Sequence, residues 1–287
     1  MKVNSHKLND SQYPAPLLNI PSPPKELFWA GLPIIEWIDR PKVAIVGNRK
    51  ITPYGKRVTY DLAYELAATG VVIISGLAFG VDAVAHQAAL EAGGTTIAIM
   101  PGGLPQIYPT SHTNLARRIL DNGGALVGEY PPGAPVYKQN FVARNRIVSG
   151  LADVLLITEA AAASGTLHTT RFALDQGKTV MAVPGNITSP NSGGCNNLIK
   201  TGASPVTSID DIFFALNLHP GPKKEFRTFR GTPEEEKVLE LIRGGLQDQE
   251  EIALKVVLDG PAINTVLTTL EIGGFIKPSG GGNWLAI

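Results

Sequence analysis

A single cysteine, Cys195, stands among 287 residues, which leaves no disulfide framework and no multi-thiolate zinc site. Charge is scarce as well. Charged residues make up 17% of the chain, below the roughly 25% usual for globular proteins. The 25 Lys plus Arg balance 25 Asp plus Glu to a formal net charge of zero. A chain without excess positive charge does not coat nucleic acid through bulk attraction, and a hydrophobic share of 44% is too high for a disordered one. No basic segment leading into an apolar one opens the sequence, and no run of about 18 apolar residues occurs. A soluble, cytoplasmic protein without membrane contact is expected. Nor does a G-x-G-x-x-G follow the first strand-like run, which argues against a dinucleotide site. No cofactor or metal is called for. What the chain does hold is glycine and proline, 31 and 22 of them, and so many short loops and places where backbone can approach a ligand closely.

Charge and pattern divide the sequence. Residues 1–40 carry four basic and four acidic groups, and their Pro and aromatic content predicts an extension packed on the next domain through Leu27, Phe28 and Trp29. Residues 41–217 carry 13 basic and 11 acidic groups. Here short β-branched runs (43–46, 71–75, 96–100, 125–129, 153–158 and 179–183) alternate with segments of three- and four-residue apolar spacing, such as 55–69 and 80–92. Such alternation predicts an α/β fold, a Rossmann-like doubly wound and mostly parallel sheet with helices on both faces. Ligands of that fold bind at the carboxyl ends of the strands. Residues 218–231 (LHPGPKKEFRTFRG) read as a basic Pro/Gly linker. Residues 232–287 hold four basic and nine acidic groups, a net of −5. There, TPEEEKVLELIR opens with a Thr cap, a proline and acids in the first turn. Two more helical segments and a glycine-turned hairpin follow, the pattern of a small winged-helix module.

Three segments leave strands and open helices, where backbone N–H groups can hold an anion. They are Gly47-Asn48-Arg49-Lys50 through Gly55, Ser75-Gly76-Leu77-Ala78-Phe79-Gly80-Val81-Asp82, and Ser164-Gly165-Thr166. Any one could be a loop that merely needs a positive φ. Three at one sheet edge suggest phosphates bound in a row. Gly177-Lys178-Thr179 resembles the end of a P-loop, yet Phe172 occupies the place of the first glycine, so a helix C-cap is the reading. Asp82 and His86, four apart, read as a cap and a local pair rather than an acid–base dyad. Cys195 reads as a buried small residue.

The stretch Phe141-Val142-Ala143-Arg144-Asn145-Arg146-Ile147-Val148-Ser149-Gly150-Leu151 is the most distinctive. Two arginines and an asparagine on an apolar helix are costly without partners. With Lys138 upstream, the ring of Phe141 can stack a base while the cations meet phosphates, as single-stranded nucleic acid requires. The other reading is structural, with Arg144 and Arg146 paired to acids such as Asp153 or Glu159. Four cations on phosphates would give a salt slope of about −3.

The series GNRKITPYG, SGLAFGVDAVAH, IYP, EYPPG, FVARNRIVSGL, EA followed by SGTLHT, VPG and GCNNLIKTGA resembles the DprA/Smf family of DNA-processing proteins over about residues 43–203. The resemblance implies a protein that is no enzyme, which binds incoming single-stranded DNA, protects it and loads RecA recombinase in natural transformation. It also implies a homodimer formed through the Rossmann-like core. Carried over by position, the DNA-contacting side chains are Arg49, Lys138 and Phe141, with Arg144 and Arg146 nearby. The backbone at Gly47, Gly76, Gly80, Ser164, Gly165 and Thr166 completes the pocket. Asn48 stands where the family's serine is usual, and the family's Y-P-x-x-N is stretched to Tyr108–Asn114. The alternative is an enzyme of the nucleoside-monophosphate phosphoribohydrolase class, which resembles P-G-G-x-G-T-x-x-E; Pro101-Gly102-Gly103-Leu104-Pro105 begins that way and diverges. A duplex-DNA regulator is disfavoured by the acidic tail, since groove binding needs a positive face.

Overall fold

The computed structural model describes residues 1–218, 229 and 231–286, and the chain divides into two compact units, Met1–His219 and Pro220–Ile287. The expected linker at 218–231 lies, apart from Leu218, Phe229 and Gly231, outside the described residues.

The first unit comprises, in chain order, β1 (Asn4–Lys7), β2 (Glu26–Gly31), β3 (Lys42–Val46), α1 (Pro53–Ala68), β4 (Val72–Ser75), α2 (Val81–Glu91), β5 (Thr96–Met100), α3 (Thr113–Asp121), β6 (Ala125–Gly128), α4 (Lys138–Leu151), β7 (Val154–Ile157), α5 (Thr166–Asp175), β8 (Thr179–Ala182), α6 (Gly193–Lys200), β9 (Ser204–Pro205) and α7 (Ile209–Ala215). Among the described residues these strands form one sheet in the order β1-β2-β6-β5-β4-β3-β7-β8-β9. It is parallel from β6 to β9. The expected mostly parallel α/β sheet is therefore present. The strands read as continuous apolar runs because both faces are covered. Val43, Ile45, Val154 and Leu156 point to a core shared with α1, α2 and α7. Ala44, Val46, Leu155 and Ile157, one residue out of phase, point to the core shared with α4, α5 and Cys195 of α6.

From β3 the chain winds outward through β4, β5 and β6, then crosses back to lay β7 along the other edge of β3. That reversal opens a crevice beyond the carboxyl ends of β3 and β7. It is where the site lies.

Residues 1–40 do more than pack on the core. Leu27 and Trp29 are buried as expected and Phe28 is half-buried. However, β2 hydrogen-bonds antiparallel to β6, with Phe28 opposite Gly128 and Ala30 opposite Leu126, and β1 pairs with β2 in turn. The segment is an added antiparallel edge within the same unit as 41–217. A ladder of backbone hydrogen bonds covers the otherwise open edge of β6.

The second unit holds α8 (Pro233–Arg243), α9 (Gln249–Val256), α10 (Gly260–Ile272) and the hairpin of β10 (Ile276–Gly280) with β11 (Asn283–Ala286). Its helices start at side-chain caps, Thr232, Asp248 and Asp259, and Val238, Leu239, Ile242, Ile252, Leu267, Leu270 and Ile276 form its core. Among the described residues no single helix is long and apolar enough to cross a membrane, and no cluster of His, Cys, Asp or Glu could hold a metal ion.

Candidate nucleic-acid interface

The loops after β3, β4 and β7 converge on the crevice, and each is fixed by its own residues. In the first, Asn48 is buried and ties the loops together. Its backbone N–H donates to the Glu159 carbonyl at 2.8 Å and its carbonyl accepts from Val81 N–H at 3.1 Å. Its side-chain amide donates to Glu159 Oε1 (3.1 Å) and Asn191 Oδ1 (3.3 Å), and its Oδ1 accepts from Ala161 N–H (3.1 Å). The amide thus reaches three groups. Thr52 then caps α1, accepting from Gly55 N–H at 3.1 Å, and its hydroxyl donates to Glu159 Oε2.

In the second loop the Asp82 carboxylate, in the first turn of α2, accepts from Gly76 N–H (3.0 Å) and Ala78 N–H (3.3 Å). Burial pushes its pKa above the ordinary carboxylate value, against the pull of Arg144. Gly80 has φ +74°, and a Cβ there would run into the carbonyl oxygens of Asn48 and Arg49. Only glycine lets the second loop lie on the first. In the third loop, Ser164 Oγ accepts from Thr166 N–H at 3.3 Å and donates to Thr166 Oγ1 at 2.9 Å at the start of α5.

Together with α4 these loops line a cleft of about 470 Å³, with Gly47, Arg49, Phe141, Arg144, Ser164, Gly165 and Thr166 all at its surface. At its mouth the exposed Arg49 guanidinium lies over the half-buried Phe141 ring, 5.7 Å from the centroid, and Tyr108 meets Phe141 edge-on at 5.0 Å. The remaining expected residues stand outside the lining. Lys138 is exposed at the start of α4. Gly76 backs the cleft, since a Cβ there would strike the Arg144 guanidinium. Gly80 shapes the neighbouring loop.

The two arginines of α4 part company. Arg144 is buried and points inward, donating from Nη1 to the carbonyls of Gly76 (2.6 Å) and Ile99. Burial pulls its pKa down to about 10 while the Asp82 carboxylate holds it up, so it remains a cation at neutral pH. Arg146 turns away from the cleft to a bidentate pair with Glu129, at 2.9 and 2.5 Å, and donates to the Ser22 carbonyl at 2.9 Å. The structural partner is thus Glu129, not the Asp153 or Glu159 considered from sequence. Asp153 serves Lys42 at 3.3 Å, and Glu159 is taken by Asn48 and Thr52. Two residues apart on a helix lie on nearly opposite sides, so the pair could not both reach one cleft. The expected Asp82–His86 local pair is also replaced. His86 Nδ1 bonds Thr96 Oγ1 at 2.7 Å.

The family of DNA recombination-mediator protein A matches residues 5–217. The chain belongs to this family. Protein Smf of Escherichia coli is 38% identical over 278 residues, 94% of this chain and 74% of the relative. DNA processing protein DprA of Bacillus subtilis is 39% identical over 214 residues, 75% and 71%. The crystal structure of DprA from Streptococcus pneumoniae superposes with a TM-score of 0.70 at 38% identity, covering 76% of each chain. DNA processing protein A from Helicobacter pylori, described for its single-stranded-DNA binding mode, superposes at 0.68 with 34% identity, covering 76% of this chain and 98% of that one.

In this DprA/Smf-family chain the cleft also draws in Asp82, Val142, Asn145, His168 and Thr169, which sequence reasoning did not select. Asn145 carried a signal, because it follows Phe141 by four residues and so shares its face of α4. Beyond the Asn48 wall a second hollow of about 580 Å³ is lined by Thr52, Tyr54, Glu159, Pro184 and Asn186.

Proposed function

We propose that this chain is a non-catalytic protein that binds single-stranded DNA at the cleft, protects it and loads RecA recombinase onto it during natural transformation, working as a homodimer. The observation that carries the reading is the Arg49–Phe141 corner beside the Ser164–Thr166 loop. It combines a cation for a phosphate, a ring for a base and backbone N–H groups at a helix start, all needed by a protein that grips a single strand. The Helicobacter pylori relative, described for binding single-stranded DNA, supports it. Exposed apolar side chains on the first unit, Leu174 and Phe214 among them, support self-association. Three helices and a hairpin with net charge −5 support a winged-helix module that contacts protein rather than duplex DNA. The phosphoribohydrolase alternative asks for an available carboxylate, whereas Asp82 serves the Gly76 and Ala78 amides and Glu159 serves Asn48 and Thr52.

Gel shifts with single- and double-stranded oligonucleotides across salt concentrations test this. Only Arg49 and Lys138 of the four selected cations remain for phosphates, so the slope of log affinity against log salt is about −0.7 × 2, or −1.4. Single strands are favoured, and Phe141→Ala weakens them about five- to 150-fold. Adding RecA to the same mixture tests delivery, with faster filament assembly expected. Equal binding of duplex, or full affinity in a folded Phe141→Ala protein, sinks the reading.

A further inference from the structure

Two aromatic rings next to the cleft have no role in what precedes. Phe79 is 49% exposed and Tyr108 46% exposed. Phe79 meets the His112 ring edge-on at 4.8 Å, Tyr108 meets Phe141 edge-on at 5.0 Å, and His112 follows Tyr108 by four residues in the same connection. The cleft wall at Ala78 leads directly into Phe79. Rings left half in water beside a basic, ring-lined cleft are surface that a stacking ligand could cover.

The loop holding Phe79 is fixed to an unusual degree. Gly76 and Ala78 amides are bound by Asp82. Leu77 is fully buried at φ +57°, an uncommon conformation for a residue with a Cβ, and its carbonyl accepts from His112 Nδ1 at 2.8 Å. Gly80 sits against the Asn48 and Arg49 carbonyls. Of the loop's side chains, Phe79 is the one large apolar group directed outward. The backbone that carries Phe79 is therefore set by contacts within the protein, which lowers the ordering cost of binding.

We propose that Phe79 and Tyr108 extend the stacking surface of Phe141, so that a single strand leaves the cleft across Tyr108 toward Phe79 with successive bases on these rings. This rests on the single-strand reading above and adds to it a path and two stacking residues. Stacking on a ring is tolerant of base identity, so the path should not select sequence.

Fluorescence anisotropy of the full chain with labelled oligothymidylates tests it, using lengths from about 4 to about 16 nucleotides. Both side chains are exposed, and circular dichroism melts establish that Phe79→Ala and Tyr108→Ala are folded. Each is expected to weaken the long oligonucleotide about five- to 150-fold, while Tyr108→Phe keeps wild-type affinity and Phe79→Leu, which keeps bulk without a ring, does not. On the shortest oligonucleotide that still binds, Phe79→Ala and wild type converge. Replacing the outgoing nucleotides by abasic ones reproduces the loss, and Phe79→Ala then adds nothing further. Wild-type affinity for the long oligonucleotide in either alanine variant, with Phe141→Ala weakened, overturns this path and leaves the cleft reading standing. If Phe141→Ala binds normally too, the cleft reading itself falls.

Discussion

The rim of the cleft and its wall use the same residue types to opposite ends. At the rim, Arg49 and Lys138 are exposed, no acid among the described residues pairs with them, and the Arg49 guanidinium lies over the Phe141 ring. In the wall, Arg144 is spent on the Gly76 and Ile99 carbonyls, and on the far side of α4 Arg146 is spent on Glu129 and Ser22. A guanidinium in water is available to a phosphate; one held by buried carbonyls or by a carboxylate fork acts as a structural strut. The positive residues of α4 therefore divide into groups that hold the loops still and groups at the surface, and substitution should separate the two.

The largest effect belongs to Arg144. Arg144→Ala would leave two carbonyls without their donor and Asp82 without its nearby cation, all in a buried setting. Leaving buried acceptors unsatisfied costs about 1–3 kcal/mol each, read as a lower urea midpoint. Arg144→Lys keeps the charge but not the planar fork and should recover only part of the loss. A stability loss below about 1 kcal/mol would place Arg144 with the rim.

Acid reaches the wall next. His86, fully buried on α2, has its pKa pushed down to about 3 by burial, with Arg144 and His112 adding to the shift. Its unfolded value is about 6.5, so the unfolded chain takes up the proton first as pH falls. The stability that His86 contributes is whole above about 6.5 and declines toward 3, at about 1.4 kcal/mol per pH unit in that interval. Asp82 acts with opposite sign, because its raised pKa lets the folded chain take the proton first. Above the ordinary carboxylate value it softens the slope. Denaturant midpoints should fall between about pH 6.5 and 5, and His86→Asn should flatten the curve. A flat wild-type curve across that range would remove His86 from the balance.

The core of this fold was readable in the chain because central parallel strands are apolar on both faces: the runs at 43–46, 96–100 and 153–158 coincide with β3, β5 and β7. The glycine loops were readable for a similar reason, since a positive φ and a close approach, as at Gly80, leave a mark in residue type. Glu26–Gly31 was not, because nothing local makes ELFWAG a strand until β6 offers it a ladder. Asn48 could not be ranked above its neighbours, as its side-chain partners lie 111 to 143 residues away. The division between Arg144 and Arg146 was present in their two-residue spacing, which places them on opposite sides of α4.

The smallest effect on stability should come from the rim, and there it is the combination of readouts that decides. Arg49 is exposed and its guanidinium lies over the Phe141 ring, so Arg49→Ala should shift the folding free energy by no more than about 0.5 kcal/mol. The same change removes one phosphate partner, and the salt slope for single-stranded DNA should shrink by about 0.7. Arg146→Ala is the counterpart. It leaves the Glu129 carboxylate, 14% exposed, without its fork, and should cost about 1–3 kcal/mol of stability while the salt slope holds. Urea titrations paired with affinity across salt check both. Should Arg146→Ala flatten the slope, or Arg49→Ala destabilise the fold while leaving the slope intact, the division between rim and wall is drawn in the wrong place.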